Sequence, residues 1–223
     1  MHRTARTGLA MVALGVASLT SAPASAQTRV DPLATGIYAR VGFVLNSFDP
    51  SSMGFVPQRG PRGSATPESL PGKYFGFGRM ALSGFTAGIG FDARWFFVRV
   101  GADIYEFPEI GEAQADAYRA RFTTHAWVSA GARVRIGPVV LNPGVRVGAL
   151  LMNVTEIGDR REGREYSAVD GVYAFELGAQ WRPFRWMELD ANVGHDPFSQ
   201  TNATTFSIAA SFGWSRGPTL TRR

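Results

Sequence analysis

The side chains able to do chemistry fall into two sets. The first is a series of charges, each flanked on both sides by apolar residues: Arg40, Asp92, Arg99, Asp103, Arg133, Arg146, Glu176, Glu188 and Asp190. The second is a short cluster, His195-Asp196 with Ser199, which offers a base, an acid and a hydroxyl. A nucleophile needs a base within hydrogen-bond reach and an acid to orient that base. Asp196-Pro197-Phe198 reads more simply as a turn, because an aspartate carboxylate accepts from backbone N–H groups just ahead of it. No catalytic residue is therefore assigned. His125 and Trp127 stand two apart; histidine titrates near neutral pH, but packing as an interior plug is the simpler expectation. With no cysteine and three histidines, the chain has no disulfide framework and no metal-ligand cluster. The Gly-containing stretches GFGRMALSG and AGIG precede no helical pattern, so they are not nucleotide loops, and no cofactor is expected.

A charge between two apolar neighbours has a position only if the chain is extended, so that one face carries the apolar set and the other the polar set. Eight segments alternate in this way. They are Ile37–Asn46, Phe85–Arg94, Val98–Tyr105, Phe122–Val134, Gly144–Met152, Tyr173–Trp181, Met187–Gly194 and Phe206–Trp214. Each approaches the 9–11 residues that a tilted strand needs to cross a bilayer. No apolar stretch beyond residue 26 is long enough for a spanning helix. The links between segments run long, short, long, short, long, short, long. The short ones lie near Trp95, at Gly137-Pro138 and at Arg182 to Arg185; the long first link, Phe48 to Gly84, is rich in Pro and Gly and is read as the largest exposed element. Alternating short turns and long loops are expected of an outer-membrane barrel. The fold class is all-β: an eight-stranded antiparallel up-and-down transmembrane barrel, with strands over about 35–215 and a short tail, 216–223.

The export route agrees. Arg3 and Arg6, the apolar run Gly8–Leu19 and the small-residue pattern Ala24-Ser25-Ala26 make residues 1–26 a secretory signal, leaving 27–223 as the barrel domain. Removing those two arginines takes the basic count from 23 to 21 against 18 acids. The remaining excess is spread along the chain without a long basic run, so nucleic acid is not an expected partner. Both termini are expected in the periplasm of a Gram-negative envelope.

Eight strands enclose an interior just wide enough for side chains to fill. The flanked charges are therefore expected to face inward as a network, with Arg146 opposite Glu176 and Asp92 opposite Arg99. Trp95, Phe97, Trp181, Trp186 and Trp214 fall at strand ends and are expected to form an aromatic girdle at the periplasmic interface. Phe85, Tyr105, Phe122, Tyr173 and Phe206 would form the outer one. Pro143 interrupts the fifth segment, where a ladder hydrogen bond would be lost; either a longer turn or a bulge is expected there.

The alternation and Gly-rich strand phrases such as GVRVGALL and FTAGIGFDA resemble the outer membrane protein A transmembrane domain and the opacity-type, porin-like barrels. The resemblance covers about Thr35 to Ser215. It implies a cell-envelope barrel with a structural, adhesive or surface-interaction role. Its partners would be outer-membrane lipid and lipopolysaccharide, the barrel-assembly machinery, and an extracellular partner that the sequence does not name. The alternating Phe206, Ile208, Ala210, Phe212 and Trp214 look like the assembly signal, although nine residues follow Trp214. A narrow channel for small solutes or ions is the alternative. A lipid A-modifying enzyme is a third class, and the His-x-Ser pattern of its deacylase type is absent here.

Overall fold

The computed structural model describes residues 31–58, 69–106, 118–156 and 165–216. The expected signal segment with its cleavage site and the chain after Arg216 lie outside these. So do residues 107–117 of the second long link and 157–164 of the third.

Eleven strands form one antiparallel system. In chain order they are β1 (Thr35–Phe48), β2 (Gly54–Pro57), β3 (Leu70–Pro71), β4 (Met80–Asp92), β5 (Phe96–Glu106), β6 (Tyr118–Ala132), β7 (Val134–Ile136), β8 (Val139–Glu156), β9 (Glu165–Phe184), β10 (Met187–His195) and β11 (Thr204–Arg216). Eight of them close a barrel: β9, β10, β11, β1, β4, β5, β6 and β8 pair in turn, and β8 pairs back onto β9. The seam between β1 and β11 runs from Thr35 opposite Arg216 to Ser47 opposite Thr204. β7 is a continuation of β6 along the β8 edge, and β2 and β3 belong to the first long loop.

The alternation in the sequence has a direct geometric result. Followed along ladder partners, Phe43 leads through Phe85, Ile104, Thr124 and Leu151 to Val169 on β9. In the other direction it leads through Ile208 and Ala191 to Ala179 on the same strand. The two arrivals differ by ten residues, which is the shear of the barrel. For eight strands that shear tilts them by about 40° and leaves an interior of side-chain width. Ile37, Val41, Phe43, Leu45, Phe85, Ile89, Val100, Val147, Leu177 and Ile208 all face outward and exposed.

Two local expectations change. The link near Arg182 is only Arg185-Trp186, since Phe184 pairs with Met187, and Arg182 and Pro183 belong to β9. The fifth segment is not shortened at Pro143: β8 runs unbroken from Val139 to Glu156, with Pro143 opposite Leu177. On its other edge Gly131 pairs with Gly144 and Val134 with Leu141, so the break between β6 and β7 falls opposite Asn142 and Pro143. The missing N–H is thus placed where the ladder is already interrupted. The two-residue turn at Gly137-Pro138 has Gly137 at φ +62°, a left-handed conformation that suits glycine.

The described parts of the first long loop bury a set of apolar side chains that its Pro- and Gly-rich composition did not imply. After Phe48 the chain makes a 3-10 turn at Pro50–Ser52, with the Asp49 carboxylate accepting from Ser51 N–H at 3.0 Å. It continues through β2, which pairs with β9 at Val56–Ser167 and Pro57–Tyr166, and returns through β3 and a second 3-10 turn, Gly72–Phe75. Phe48, Met53, Phe55, Phe75 and Phe77 are buried together with Val44, Leu150, Met152 and Val154 of the barrel wall. Phe55 lies 5.0 Å from Phe75 and 5.6 Å from Phe77 between ring centroids. The described parts of this loop form an apolar lid seated inside the mouth.

Gly72 is the tightest point of the lid. Its N–H donates to the Met53 carbonyl at 2.8 Å, and a Cβ added there would stand 1.9 Å from the Pro50 oxygen. Gly72→Ala is expected to make the first loop sensitive to limited proteolysis while the barrel keeps its heat-modifiable mobility. Loss of that mobility would show instead that the lid holds the strands together.

Candidate functional site: a charged and capped lumen

Below the lid the lumen is polar. Arg40, Arg99, Arg133, Arg146 and Arg182 are buried there with Asp92, Asp103, Glu176, Glu188 and Asp190, five cations against five carboxylates. Such balance is what a low-dielectric interior demands, because an unpaired buried charge costs several kcal/mol.

The pairs are set by the strand register. Arg146 lies opposite Ala174, and Glu176 opposite Gly144, so these two are diagonal neighbours and not directly opposite as counted from the loop. Their side chains still meet: Arg146 Nη2 and Nε lie 2.9 and 3.0 Å from Glu176 Oε2. The Ser129 hydroxyl donates to the other carboxylate oxygen. Asp92 and Arg99 are diagonal for a similar reason, because the turn is three residues long and puts Phe97 opposite Asp92. Their closest approach is 3.8 Å.

Three clusters result. At the centre Asp103 gathers four groups: Trp127 Nε1–H at 2.9 Å, His125 Nδ1 at 3.1 Å, the Tyr105 hydroxyl at 3.3 Å and Arg146 Nη1 at 3.9 Å. The Arg146 guanidinium also lies 4.4 Å over the Trp127 ring. His125 and Trp127 are therefore partners of one carboxylate. Beside them Arg40 pairs with Asp190 at 2.8 Å and donates to the Ser207 hydroxyl, while Asn192 and Ser211 donate to Asp190.

Towards the short turns Asp92 meets Arg133 at 3.4 Å and Arg182 at 3.9 Å and accepts from Gln180. Glu188, at the β10 bulge, accepts from Arg182 and Gln180. Arg133 and Arg182 also donate to the carbonyls of Asp31, Pro32 and Ala34, which straps the segment before β1 across this end. A cavity of about 10 Å³ beside Arg40, Arg99 and Trp127 has room for about one water molecule.

The expected inward network did not include Arg182 and Gln180. Arg182 was assigned to a turn, and Gln180 carries no charge to draw notice. The signal was nevertheless present: both share the parity of Glu176 on the same strand.

The girdle needs one correction at each end. Trp95, Trp186 and Trp214 are exposed on the outer face and Trp181 is half-buried there, but Phe97 is buried in the lumen. Phe97 has the parity of Arg99, whose guanidinium lies 4.6 Å over its ring. Tyr105 likewise points inward to Asp103. Phe85, Tyr173 and Phe206 are exposed near the loop end, and the side chain of Phe122 lies outside the described residues.

The second candidate set does not assemble into a triad. His195 Nδ1 contacts the Thr204 hydroxyl at 3.0 Å, and the Ser199 hydroxyl contacts Thr201. Asp196 accepts from the N–H groups of Phe198, Ser199 and Tyr173 at 2.9, 3.0 and 2.8 Å. Burial works against its ionisation, but these donors hold its carboxyl below the usual carboxylate range. Its chemistry is that of a turn. Among the described residues no group of His, Asp and Glu could hold a metal ion.

No protein-family model matches the chain, and no curated protein matches it. Among solved structures, Ail, the attachment invasion locus protein of Yersinia pestis, is 12% identical with a TM-score of 0.49, covering 81% of this chain and 99% of its own. Neisserial surface protein A is 10% identical with a TM-score of 0.48, covering 80% of this chain and 97% of its own. These proteins are similar to this chain in outline at low identity, and its own residues bear the functional reading.

Proposed function

We propose that the protein is an outer-membrane anchor with a sealed lumen, its short turns and both termini on the periplasmic side and its long loops displayed outside for surface interaction. The observation that carries this reading is the combination of an apolar exterior with a neutralised, capped interior. The outward faces of β1, β4, β5 and β11 between their polar ends carry no charged side chain, which suits lipid and not water. Exposed tryptophans concentrate at the turn end. β8 and β9, at 18 and 20 residues, exceed the span of a bilayer and carry their hairpin beyond the apolar belt. On this reading the partners are outer-membrane lipid and lipopolysaccharide, the barrel-assembly machinery, and a surface ligand of the loops.

Planar-bilayer recording tests it. Purified parent protein is expected to show negligible conductance, since the lid fills the mouth and the paired charges fill the layer below it, where the cavity beside Arg40 and Trp127 has room for about one water. A stable, ion-selective conductance would overturn the sealed anchor in favour of a narrow channel.

A further inference from the structure

We propose that the three short turns form a basic collar that binds the phosphate headgroups of an acidic phospholipid surface. The inference rests on the membrane reading above and adds a ligand class to one rim of the barrel.

Each turn sets an arginine beside an exposed apolar side chain. Arg94 adjoins Trp95, Arg135 adjoins Ile136, and Arg185 adjoins Trp186; these apolar partners are 67%, 57% and 56% exposed. Neighbouring groups hold the three sites. The Arg94 guanidinium lies 5.1 Å over the Trp95 ring, and Arg135 Nε donates to the carbonyl of Gly137 at 3.1 Å. Trp186 stacks on Phe184 at 5.4 Å. Arg94 and Arg135 make no ion pair among the described residues. The carboxylates of this end are spent elsewhere: Asp92 and Glu188 are buried against Arg99, Arg133 and Arg182. Asp31 is half-buried, with its carboxylate accepting from Leu33 N–H. Burying the acids and exposing the arginines concentrates positive charge on this rim.

The chemistry of the match is specific. A guanidinium fork fits two phosphate oxygens, and it does so better than an ammonium. An indole beside it occupies the interfacial level where such phosphates lie. A basic residue at an anionic membrane surface multiplies association by about fivefold, an effect that fades beyond a Debye length.

The tryptophans provide the test. Trp95, Trp181, Trp186 and Trp214 all lie outward at this rim, so their fluorescence reports the lipids that touch it. Full-length exported protein would be folded into vesicles of mixed phosphatidylcholine and phosphatidylglycerol, with one or the other lipid brominated in its chains as a quencher. The expected quenching preference for phosphatidylglycerol is about fivefold or more at low salt, falling towards one in 1 M salt. The variant R94Q/R135Q/R185Q should lose the preference, and K73Q/R79Q, altered at the loop end, should keep it. A ratio near one in the parent, or one retained by the triple variant, overturns the collar. If millimolar glycerol phosphate in solution abolishes the preference, the rim binds free phosphate esters and the lipid assignment falls. A parent chain that gives no protease-protected, heat-modifiable barrel in any vesicle refutes the membrane reading itself, and mobility reads that failure separately from the lipid ratio.

Discussion

Glu176→Gln is expected to lower the stability of the folded barrel by about 3–5 kcal/mol, because it leaves the Arg146 guanidinium buried without its closest counter-ion. The native pair is tight: both Arg146 nitrogens reach one oxygen of Glu176, and Ser129 occupies the other. Asp103, 3.9 Å from Arg146, takes up part of the lost attraction and sets the effect towards the lower end of that range. The double variant R146M/E176Q removes the stranded charge and is expected to recover much of the loss. Urea titration of barrels folded in vesicles, followed by the mobility of unheated samples, measures both. A loss below about 1 kcal/mol for Glu176→Gln would mean that the lumen is wet enough to solvate the free guanidinium.

The second large effect concerns the opposite face. Leu177→Arg is expected to cost about 2–4 kcal/mol, the penalty for an arginine at the bilayer midplane of a barrel. Spread over eight strands, the ten-residue shear puts Leu177 level with Val41, the middle of the outward apolar run of β1. Leu177 is 49% exposed and faces away from Glu176. Ser83→Arg is the control. Ser83 faces outward above the belt, where an arginine reaches the interface and costs no more than about 1 kcal/mol. Equal tolerance at the two positions would show that no hydrocarbon surrounds Leu177.

Strand count, strand direction and the inward face were legible because a period of two leaves a charge such as Arg40 or Asp190 only one side of the sheet to occupy. Pairing was less legible. The Arg146–Glu176 and Asp92–Arg99 contacts were named, yet their diagonal geometry depends on turn lengths that shift the register by single residues. Phe97 and Tyr105 were assigned to girdles by their position near strand ends, although their parity already pointed them inward; parity outweighs position when the two conflict. The lid was illegible for a different reason. Phe55, Phe75 and Phe77 stand among prolines and glycines without periodicity, and only the empty mouth of the barrel above Leu150 and Met152 gives them somewhere to go.

The seam between β1 and β11 makes completion of this protein a late and single event. Thr35 meets Arg216, so nearly the whole described chain lies between the two edges that must join. Closing so long a loop costs entropy before any contact returns it. Arg40 shows what waits on that closure: it sits on β1, while its partners Asp190 and Ser207 arrive on β10 and β11. A nascent chain stopped before β11 holds two open strand edges and has no strand to bring β1 and β10 together around Arg40 and Asp190, and it has no stable halfway form to offer a bilayer. Assembly must therefore shelter those edges until the last strand is delivered.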